Sequence, residues 1–320
     1  MLFDTHAHLI SDDWVRYPAR PFTSDLPVPE RPAYTMTKDA LLSLMDSNGV
    51  ASACLVQRGH VYGYNNACIL DAASEHPDRF HPVVILDTQD PDTAARYREL
   101  VTSRAVAGFR MAQSRPWLLD TAWLSSPSAM AVWQACADLG TPMTIIVFDN
   151  QLSYVLPLIK LIAQQFPELP IVLDHGAMPY GMSQYEVGLR EAAGETVVMP
   201  PPPDYGLDTS VAIFADLPNI YYKITEIVFE RVVKAGVEAS GLVRRMADMF
   251  GADRLVWGSD VGQSMLWSYS QKVAMAKDAA SLLDAAETTA FLHDNAARIY
   301  GLNKRTMPVA SVLNTGGERL

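Results

Sequence analysis

The sequence predicts a single α/β domain folded as a (β/α)8 barrel, a TIM barrel, with a long proline-rich loop after strand 1. Eight short apolar segments alternate with helical patterns, and this alternation is typical of parallel βα units. The first segment runs into His6-Ala7-His8-Leu9, not into the glycine-rich phosphate loop of a doubly wound nucleotide-binding sheet. A chain of 320 residues is long enough for one such barrel.

The predicted strands and helices follow one another through residues 1–302. Strands are predicted at 2–6, 51–57, 80–86, 106–111, 143–148, 171–175, 220–225 and 254–260. Helices are predicted at 38–48, 65–76, 91–103, 127–139, 152–166, 235–250, 270–283 and 287–301, and Thr37 and Gly49 are suited to begin and end the first of them. We expect residues 303–320 to form a polar C-terminal tail.

One connection is much longer than the others. Residues 9–36 separate the first strand from the first helix and contain five prolines. Such a segment is too long for an ordinary turn and predicts a lid or rim loop over a site. We expect this loop, together with residues 113–126 and 178–207, to determine substrate specificity.

Composition limits the classes of partner and the compartment. The net charge of -11 and the isoelectric point near 5.0 argue against binding to nucleic acid or an anionic membrane, because both need clustered Lys and Arg. An anionic substrate would therefore need a local cation. The three cysteines show no redox or metal-binding spacing, and no segment has the pattern of a signal peptide or a membrane span. We therefore expect a cytoplasmic protein.

Polar residues fall at the predicted C-terminal ends of the strands, where barrel enzymes have their active sites. His6 and His8 are two residues apart at the end of the first strand, so their imidazoles point to the same side. The other candidates that follow or end later strands are Gln57, His60 and Tyr62 (second), Arg110 (fourth), His175 (sixth) and Asp260 (eighth), and Lys223 lies within the seventh. This sorting of polar residues predicts an active site.

Structural roles are the alternative for individual residues. Asp260 follows Gly-Ser and is also typical of a turn cap. His175 is also compatible with a hydrogen-bonded core histidine, and Arg110 with an ion pair to a structural carboxylate such as Asp87. The shared position of the candidates at one end of the predicted barrel favours a common site over separate structural roles.

Five motifs resemble recurrent motifs of the amidohydrolase superfamily (amidohydrolase family 2). They are Asp4-Thr-His-Ala-His8, Val172-Leu-Asp-His-Gly176 with Pro179, Asn219-Ile-Tyr-Tyr-Lys223, Arg254-Leu-Val-Trp-Gly-Ser-Asp260 and Asp294-Asn-Ala-Ala-Arg298-Ile-Tyr-Gly301. Residues 56–66 are similar to the branch that contains 2-pyrone-4,6-dicarboxylate lactonase and sugar-acid lactonases. The motifs extend from the first strand to the last helix, so the resemblance implies a barrel enzyme over nearly the whole chain.

The resemblance also bears on the cofactor. Metal-dependent relatives place a histidine at the end of strand five, whereas residues 144–149 contain none, and Arg110 occupies strand four where a bridging Lys or Glu would stand. His6, His8 and Asp260 could supply three ligands to Zn²⁺, helped by Asp149 or His175. The reduced set resembles the lactonase branch, which has members that work without a metal. We therefore expect no obligatory metal, with one Zn²⁺ as the alternative.

The resemblance implies the hydrolysis of a small carboxylated lactone, and the residue types suit this reaction. Asp260 would act as the general base on water, while His6, His8 and His175 would polarise the carbonyl. Arg110 would hold a substrate carboxylate with its planar guanidinium group. The other substrate-binding candidates are Gln57, His60, Tyr62 and Lys223.

Two other functions compete with this prediction. One is a metal-dependent nonoxidative decarboxylase or hydratase acting on an acid such as a hydroxylated aromatic acid, and the other is a non-catalytic binding barrel. The expected partner is a small anionic organic molecule. Trp117, Trp123 and the C-terminal tail are candidates for a contact between subunits of a homo-oligomer.

Overall fold

The eight strands form one parallel sheet, and their order in space is their order in the sequence. They are β1 (Leu2–Ala7), β2 (Val50–Val56), β3 (Phe80–Val84), β4 (Gly108–Met111), β5 (Met143–Ile145), β6 (Ile171–Leu173), β7 (Ile220–Thr225) and β8 (Leu255–Gly258). The computed structural model describes residues 1–22, 32–114, 119–148, 151–177, 191–194, 200–263 and 266–301. It confirms the predicted (β/α)8 barrel.

The barrel closes where β1 meets the end of β8. Ala7 pairs with Val261 in a parallel bridge. The Asp260 N–H donates a hydrogen bond to the His6 carbonyl at 2.7 Å, and the His8 N–H donates to the Val261 carbonyl at 2.8 Å. The first and last strands therefore meet at the face where the predicted site residues lie.

The helices cover the outside of this sheet. They are α1 (Lys38–Asn48), α2 (Gly59–Tyr62), α3 (Ala67–Glu75), α4 (Thr93–Arg104), α5 (Ala122–Ser125), α6 (Pro127–Leu139), α7 (Leu152–Gln165), α8 (Glu226–Lys234), α9 (Ala239–Phe250), α10 (Tyr269–Ala279), α11 (Ala285–Thr289) and α12 (Asn295–Ile299). Thr37 caps α1 by accepting a hydrogen bond from the Ala40 N–H, and Gly49 ends it in the left-handed region at φ 70°. Both features confirm the predicted bounds of this helix.

Helix α8 is absent from the sequence prediction, which begins a helix only at residue 235. Glu226, Glu230 and Lys234 recur at the spacing of one helical face, so the sequence has a helical pattern here. The structure nevertheless buries all of residues 226–232, including the two glutamates. Strands β5 and β6 are shorter than predicted. After Leu173 the chain enters a 3₁₀ turn, Asp174–Ala177, which carries His175 out of the sheet.

The core has two layers. The larger lies between the sheet and the helices, and a smaller one includes Val172, Tyr221 and Tyr300. Val172 and Tyr221 lie two residues before Asp174 and Lys223, so they face the same side of the sheet as these polar residues. The smaller layer therefore supports the polar site from below.

Some sequence predictions concern residues outside the described ranges or differ from the structure. Trp123 is 3% exposed and its indole N–H donates to the Asp120 carbonyl, so it is a core residue and not an exposed contact. Trp117, Asp149, Pro179, residues 23–31 of the proline-rich loop and the tail at 303–320 lie outside the described ranges. Among the described residues, no helix is long and apolar enough to cross a membrane.

The seam between β1 and β8 depends on a buried carboxylate. Asp4 Oδ1 accepts hydrogen bonds from the N–H groups of His6 at 3.0 Å and Ser259 at 2.8 Å, and its Oδ2 accepts from the Tyr269 hydroxyl at 3.0 Å. We expect Asp4→Ala to lower the free energy of unfolding by about 3 to 5 kcal/mol, because two buried N–H groups lose their acceptor. Tyr269→Phe should cost about 1 kcal/mol. Urea unfolding measures both values, and equal losses would contradict this role of Asp4.

Candidate functional site

Three side chains converge where β1 meets the end of β8. His6 Nε2 lies 3.2 Å from His8 Nε2, and Asp260 Oδ1 lies 3.5 Å from the first and 3.3 Å from the second. All three residues are buried. The predicted histidine pair and the predicted aspartate, more than 250 residues apart in the chain, therefore form one group.

The hydrogen bond of His8 determines which of its nitrogens carries a proton. His8 Nδ1 lies 2.7 Å from the Val56 carbonyl, which only accepts hydrogen bonds, so Nδ1 must be the protonated nitrogen. Burial lowers the pKa of His8 to about 4, which keeps the ring neutral at pH 7. The lone pair on Nε2 consequently faces His6 and Asp260.

Asp260 presents an ionised carboxylate to the same point. Burial by itself would raise its pKa, but attraction by the adjacent histidine rings outweighs burial, and the net pKa is well below the ordinary value. Neither carboxylate oxygen has a hydrogen-bond partner among the described residues. The backbone of Asp260 has φ 53°, in the left-handed region that is unusual for a residue with a side chain. Such strain is typical of functional sites.

The three residues fit a divalent metal ion. Ligands about 2.0 Å from a tetrahedral Zn²⁺ lie roughly 3.3 Å from one another, close to the three distances among His6, His8 and Asp260. The lone pair of His8 and the carboxylate of Asp260 would repel each other unless a proton or a cation lay between them. Both the spacing and the donor types therefore suit Zn²⁺ or a similar ion.

A buried ion cluster lies behind this group. Asp174 Oδ2 accepts a hydrogen bond from Arg110 Nε at 2.7 Å, and Asp174 Oδ1 lies 2.9 Å from Lys223 Nζ. Burial would raise the pKa of Asp174, but the two cations and His6 lower it well below its ordinary value. Sequence reasoning did not select Asp174, although it directly precedes His175 in a motif that had been recognised. Arg110 does pair with a carboxylate, but with this one and not with Asp87.

His175 lies beside the histidine pair. Its ring centre is 5.3 Å from that of His6, and its Nδ1 is 2.7 Å from the Thr225 hydroxyl at the end of β7. Burial lowers its pKa, so the ring is neutral at pH 7. The backbone at His175, like that at Asp260, is left-handed, with φ 54°. This conformation turns the residue out of β6 and towards the cavity.

A cavity opens in front of these side chains. Its charged and polar lining comprises His8, Arg58, His60, Arg110, His175, Asp260 and Gln263, and its apolar lining comprises Ile146, Val147, Phe148 and Ile227. Arg58 was not among the predicted site residues. It immediately follows Gln57 at the end of β2, a position from which it could have been predicted by the rule used for the other strands.

Three of the predicted substrate-binding residues lie behind the cavity wall. The Gln57 amide donates hydrogen bonds to the carbonyls of Gly63 and Asn65 and braces the loop after β2. The Tyr62 hydroxyl accepts a hydrogen bond from the Ser11 N–H. Lys223 is fully buried in the ion cluster. Their placement supports the site from behind, whereas His60 and Arg110 line the cavity as predicted.

The amidohydrolase family model (Amidohydro_2) matches residues 3–302. The chain belongs to the amidohydrolase family. It is therefore an enzyme of the amidohydrolase superfamily, and the alternative of a non-catalytic binding barrel is not supported. A comparison with curated proteins finds no match.

Solved structures share the fold. A probable 2-pyrone-4,6-dicarboxylic acid hydrolase from Acinetobacter baumannii with bound citric acid has a TM-score of 0.68 at 19% identity, over 94% of this chain and 99% of that one. A Burkholderia multivorans amidohydrolase with bound zinc has a TM-score of 0.66 at 23% identity, over 94% of this chain and 99% of that one. A 2,6-dihydroxybenzoate decarboxylase from Rhizobium has a TM-score of 0.63 at 15% identity, over 94% of this chain and 99% of that one.

These findings correct the expectation about the cofactor. The absence of a strand-five histidine led us to favour a site with no obligatory metal. That preference is not supported, because His6, His8 and Asp260 form a group suited to a metal and an amidohydrolase with bound zinc shares the fold. The suggested help from Asp149 falls on a residue outside the described ranges.

His60 provides a test of the electrostatics of the cavity. Burial, with the nearby charges of Arg58 and Arg110, lowers the pKa of His60 to about 4. Between pH 6.5 and 4 the unfolded chain therefore binds a proton that the folded protein does not, and the free energy of unfolding falls as the pH falls. After allowance for partial exposure, we expect this loss to be about 2 kcal/mol.

The variant His60→Gln should lack this part of the pH dependence. Urea unfolding of metal-free protein at several values between pH 6.5 and 4 measures it in both proteins. Parallel pH dependences of the two free energies would show that the pKa of His60 is not lowered by folding.

Proposed function

We propose that this enzyme hydrolyses a small carboxylated lactone. The observation that carries the proposal is the buried, ionised carboxylate of Asp260, which faces a cavity shared with Arg58 and Arg110. A carboxylate at this point suits the activation of water and the two guanidinium groups suit a substrate carboxylate. The apolar side of the cavity, which includes Phe148, suits the face of a small ring.

The charge balance supports an anionic substrate. Among the described residues, the side chains of Arg58, Arg110 and Lys223 are cationic, whereas Asp174 and Asp260 are the carboxylates that contact or face them. This part of the molecule therefore has an excess of positive charge in a protein whose net charge is -11. The local cation that an anionic substrate requires is present before any metal is counted.

The roles of the side chains follow from their hydrogen bonds and charges. His6, His8 and Asp260 would hold a divalent ion, which when bound polarises a carbonyl and increases the acidity of water. His175, neutral and held at Nδ1 by Thr225, lies where it can orient the substrate carbonyl. Arg58 and Arg110 would fix the carboxylate of the substrate and so the position of its ring.

Proton transfer is assigned to Asp260. During hydrolysis a water oxygen bonds to the lactone carbonyl carbon and the bond from that carbon to the ring oxygen breaks. The low pKa of Asp260 makes it a weak base, so it would accept the water proton only transiently and return it to the leaving ring oxygen. The product is an open-chain hydroxy acid with one additional carboxylate.

Metal-dependent nonoxidative decarboxylation is a second candidate. The fit of His6, His8 and Asp260 to a divalent ion favours it, since decarboxylases with the same fold are among the similar structures. The two reactions differ in their products, because hydrolysis adds one water to the substrate whereas decarboxylation releases carbon dioxide. Mass spectrometry of the products therefore separates the two candidates.

Purified enzyme loaded with Zn²⁺ should open at least one member of a panel of carboxylated lactones. We expect Asp260→Asn to lower kcat by about 1,000-fold, because the proton acceptor is lost while asparagine still tolerates the left-handed backbone. Asp216→Asn, at an exposed carboxylate that pairs with Lys160, is the matched control and should retain full activity. Hydrolysis that survives in the Asp260 variant, or an inactive wild-type enzyme across the panel, would contradict the proposal.

Arg58 should contribute to substrate binding. We expect Arg58→Met to raise KM for a carboxylated lactone by about 10- to 100-fold with little change in kcat, because a charged hydrogen bond to the substrate is lost. For an uncharged lactone of the same ring size, KM should be unchanged. Arg98→Met removes a surface arginine paired with Asp138 and serves as the control. Equal effects of Arg58→Met on both lactones would argue against a contact with the carboxylate.

A further inference from the structure

His6 lies between a hydrogen-bond donor and an acceptor. Its Nδ1 is 3.4 Å from Lys223 Nζ and also 3.4 Å from Asp174 Oδ1. All three side chains are fully buried. The same nitrogen therefore has a partner whether or not it carries a proton, because it accepts from the ammonium group in one case and donates to the carboxylate in the other.

His8 lacks this freedom. Its Nδ1 faces the Val56 carbonyl at 2.7 Å, and a carbonyl is only an acceptor. The proton of His8 is consequently on Nδ1 and its lone pair on Nε2, whatever occupies the space in front of it. The two neighbouring histidines thus differ in one respect: the tautomer of His8 is determined by the backbone and that of His6 is not.

Each tautomer of His6 suits a different state of the site. With the proton on Nε2, the ring can donate towards Asp260 Oδ1 or His8 Nε2, at 3.5 and 3.2 Å, and Nδ1 accepts from Lys223. With the proton on Nδ1, the ring donates to Asp174, and the lone pairs of His6 and His8 and the carboxylate of Asp260 converge. The first arrangement is satisfied without a cation and the second requires one.

The partners of His6 are held in place. Asp174 Oδ2 accepts from Arg110 Nε at 2.7 Å, while Lys223 Nζ lies 2.9 Å from Asp174 Oδ1. The ammonium and carboxylate groups therefore remain beside Nδ1 in both states. Burial lowers the pKa of His6 well below its ordinary value, so the ring is neutral and has one proton to place.

We propose that His6 changes tautomer when the site takes up a divalent metal ion, and that Lys223 and Asp174 are the positioning residues that stabilise the two forms. The proton leaves Nε2 and a proton is taken up at Nδ1, so the number of bound protons does not change. Lys223 holds the metal-free form and Asp174 holds the metal-bound form. The proposal rests on the fit of three residues to a metal and does not depend on the substrate.

Nitrogen-15 NMR of histidine-labelled protein tests the proposal directly. Long-range proton–nitrogen correlations identify the protonated nitrogen of each ring, and a spectrum of His6→Gln identifies the His6 signals. In chelator-treated protein we expect the proton of His6 on Nε2, and after one equivalent of Zn²⁺ on Nδ1. His8 should carry its proton on Nδ1 in both samples, which provides an internal control.

Variants separate the two partners. In metal-free Lys223→Met, we expect the Nδ1-protonated form of His6 to become the major one, with Zn²⁺ affinity raised about tenfold because the competing form is weakened. Arg58→Met also removes a cation from the cavity region, but one for which no contact with His6 is found among the described residues. It should leave the tautomer of His6 unchanged and so serves as the matched control for charge.

Asp174→Asn should weaken Zn²⁺ binding by about 10- to 100-fold, as expected for the loss of a carboxylate behind a metal-binding histidine. Because this change leaves Arg110 and Lys223 buried without their carboxylate, it could unfold the protein. The double variant Asp174→Asn/Lys223→Met restores the charge balance. We expect this double variant to fold. The proton of His6 should occupy the same nitrogen before and after Zn²⁺ is added.

Three results would overturn the proposal. They are a proton on Nδ1 of His6 in the metal-free wild type, a proton that stays on Nε2 when zinc is bound, and failure to bind Zn²⁺ at micromolar concentration. A full tautomer change in the double variant would show that Asp174 and Lys223 do not control it. Because none of these measurements uses a substrate, failure of the proposed lactone hydrolysis would leave their outcome unaffected.

Discussion

The hydrogen bond from the Asp260 N–H to the His6 carbonyl is the contact on which the site depends. It closes the barrel between its first and last strands and brings together residues that are 254 positions apart in the chain. Asp4 supports the same seam by accepting hydrogen bonds from the backbones of His6 and Ser259. Closure of the barrel and assembly of the candidate metal group are therefore one event, because the same backbone segments do both.

The charges buried behind the site are costly and require an explanation beyond stability. An ion pair taken out of water gains little net free energy, and removal of one partner leaves an uncompensated charge. In this enzyme Asp174 joins Arg110 to Lys223, and the cluster touches both the cavity and His6. We interpret it as the means by which the fold sets the orientation of Arg110 and the proton position of His6. A neutral, well-packed interior would do neither.

Sequence reasoning located several residues of the site from their positions along the strands. His6, His8, His175 and Asp260 were predicted from strand ends, and the structure brings them together. Gln57 and Tyr62 instead brace neighbouring loops, because a polar residue after a strand is as suitable for that as for lining a cavity. Asp174 and Arg58 were not among the predicted site residues. Each adjoins a residue, His175 or Gln57, that had already been chosen as the site residue of its segment.

The sequence by itself determined the barrel, the family and the residue types available at its active face, since alternating apolar segments and strand-end polar residues are local patterns. Only the tertiary structure decided which side chains face the cavity. It also decided the helical state of residues 226–234, where Glu226, Glu230 and Arg231 are buried although charged residues ordinarily mark an exposed face. The protonation of the histidines belongs to this second group. The tautomer of His8 depends on the Val56 carbonyl and the choice open to His6 depends on Lys223 and Asp174, all of them distant in sequence.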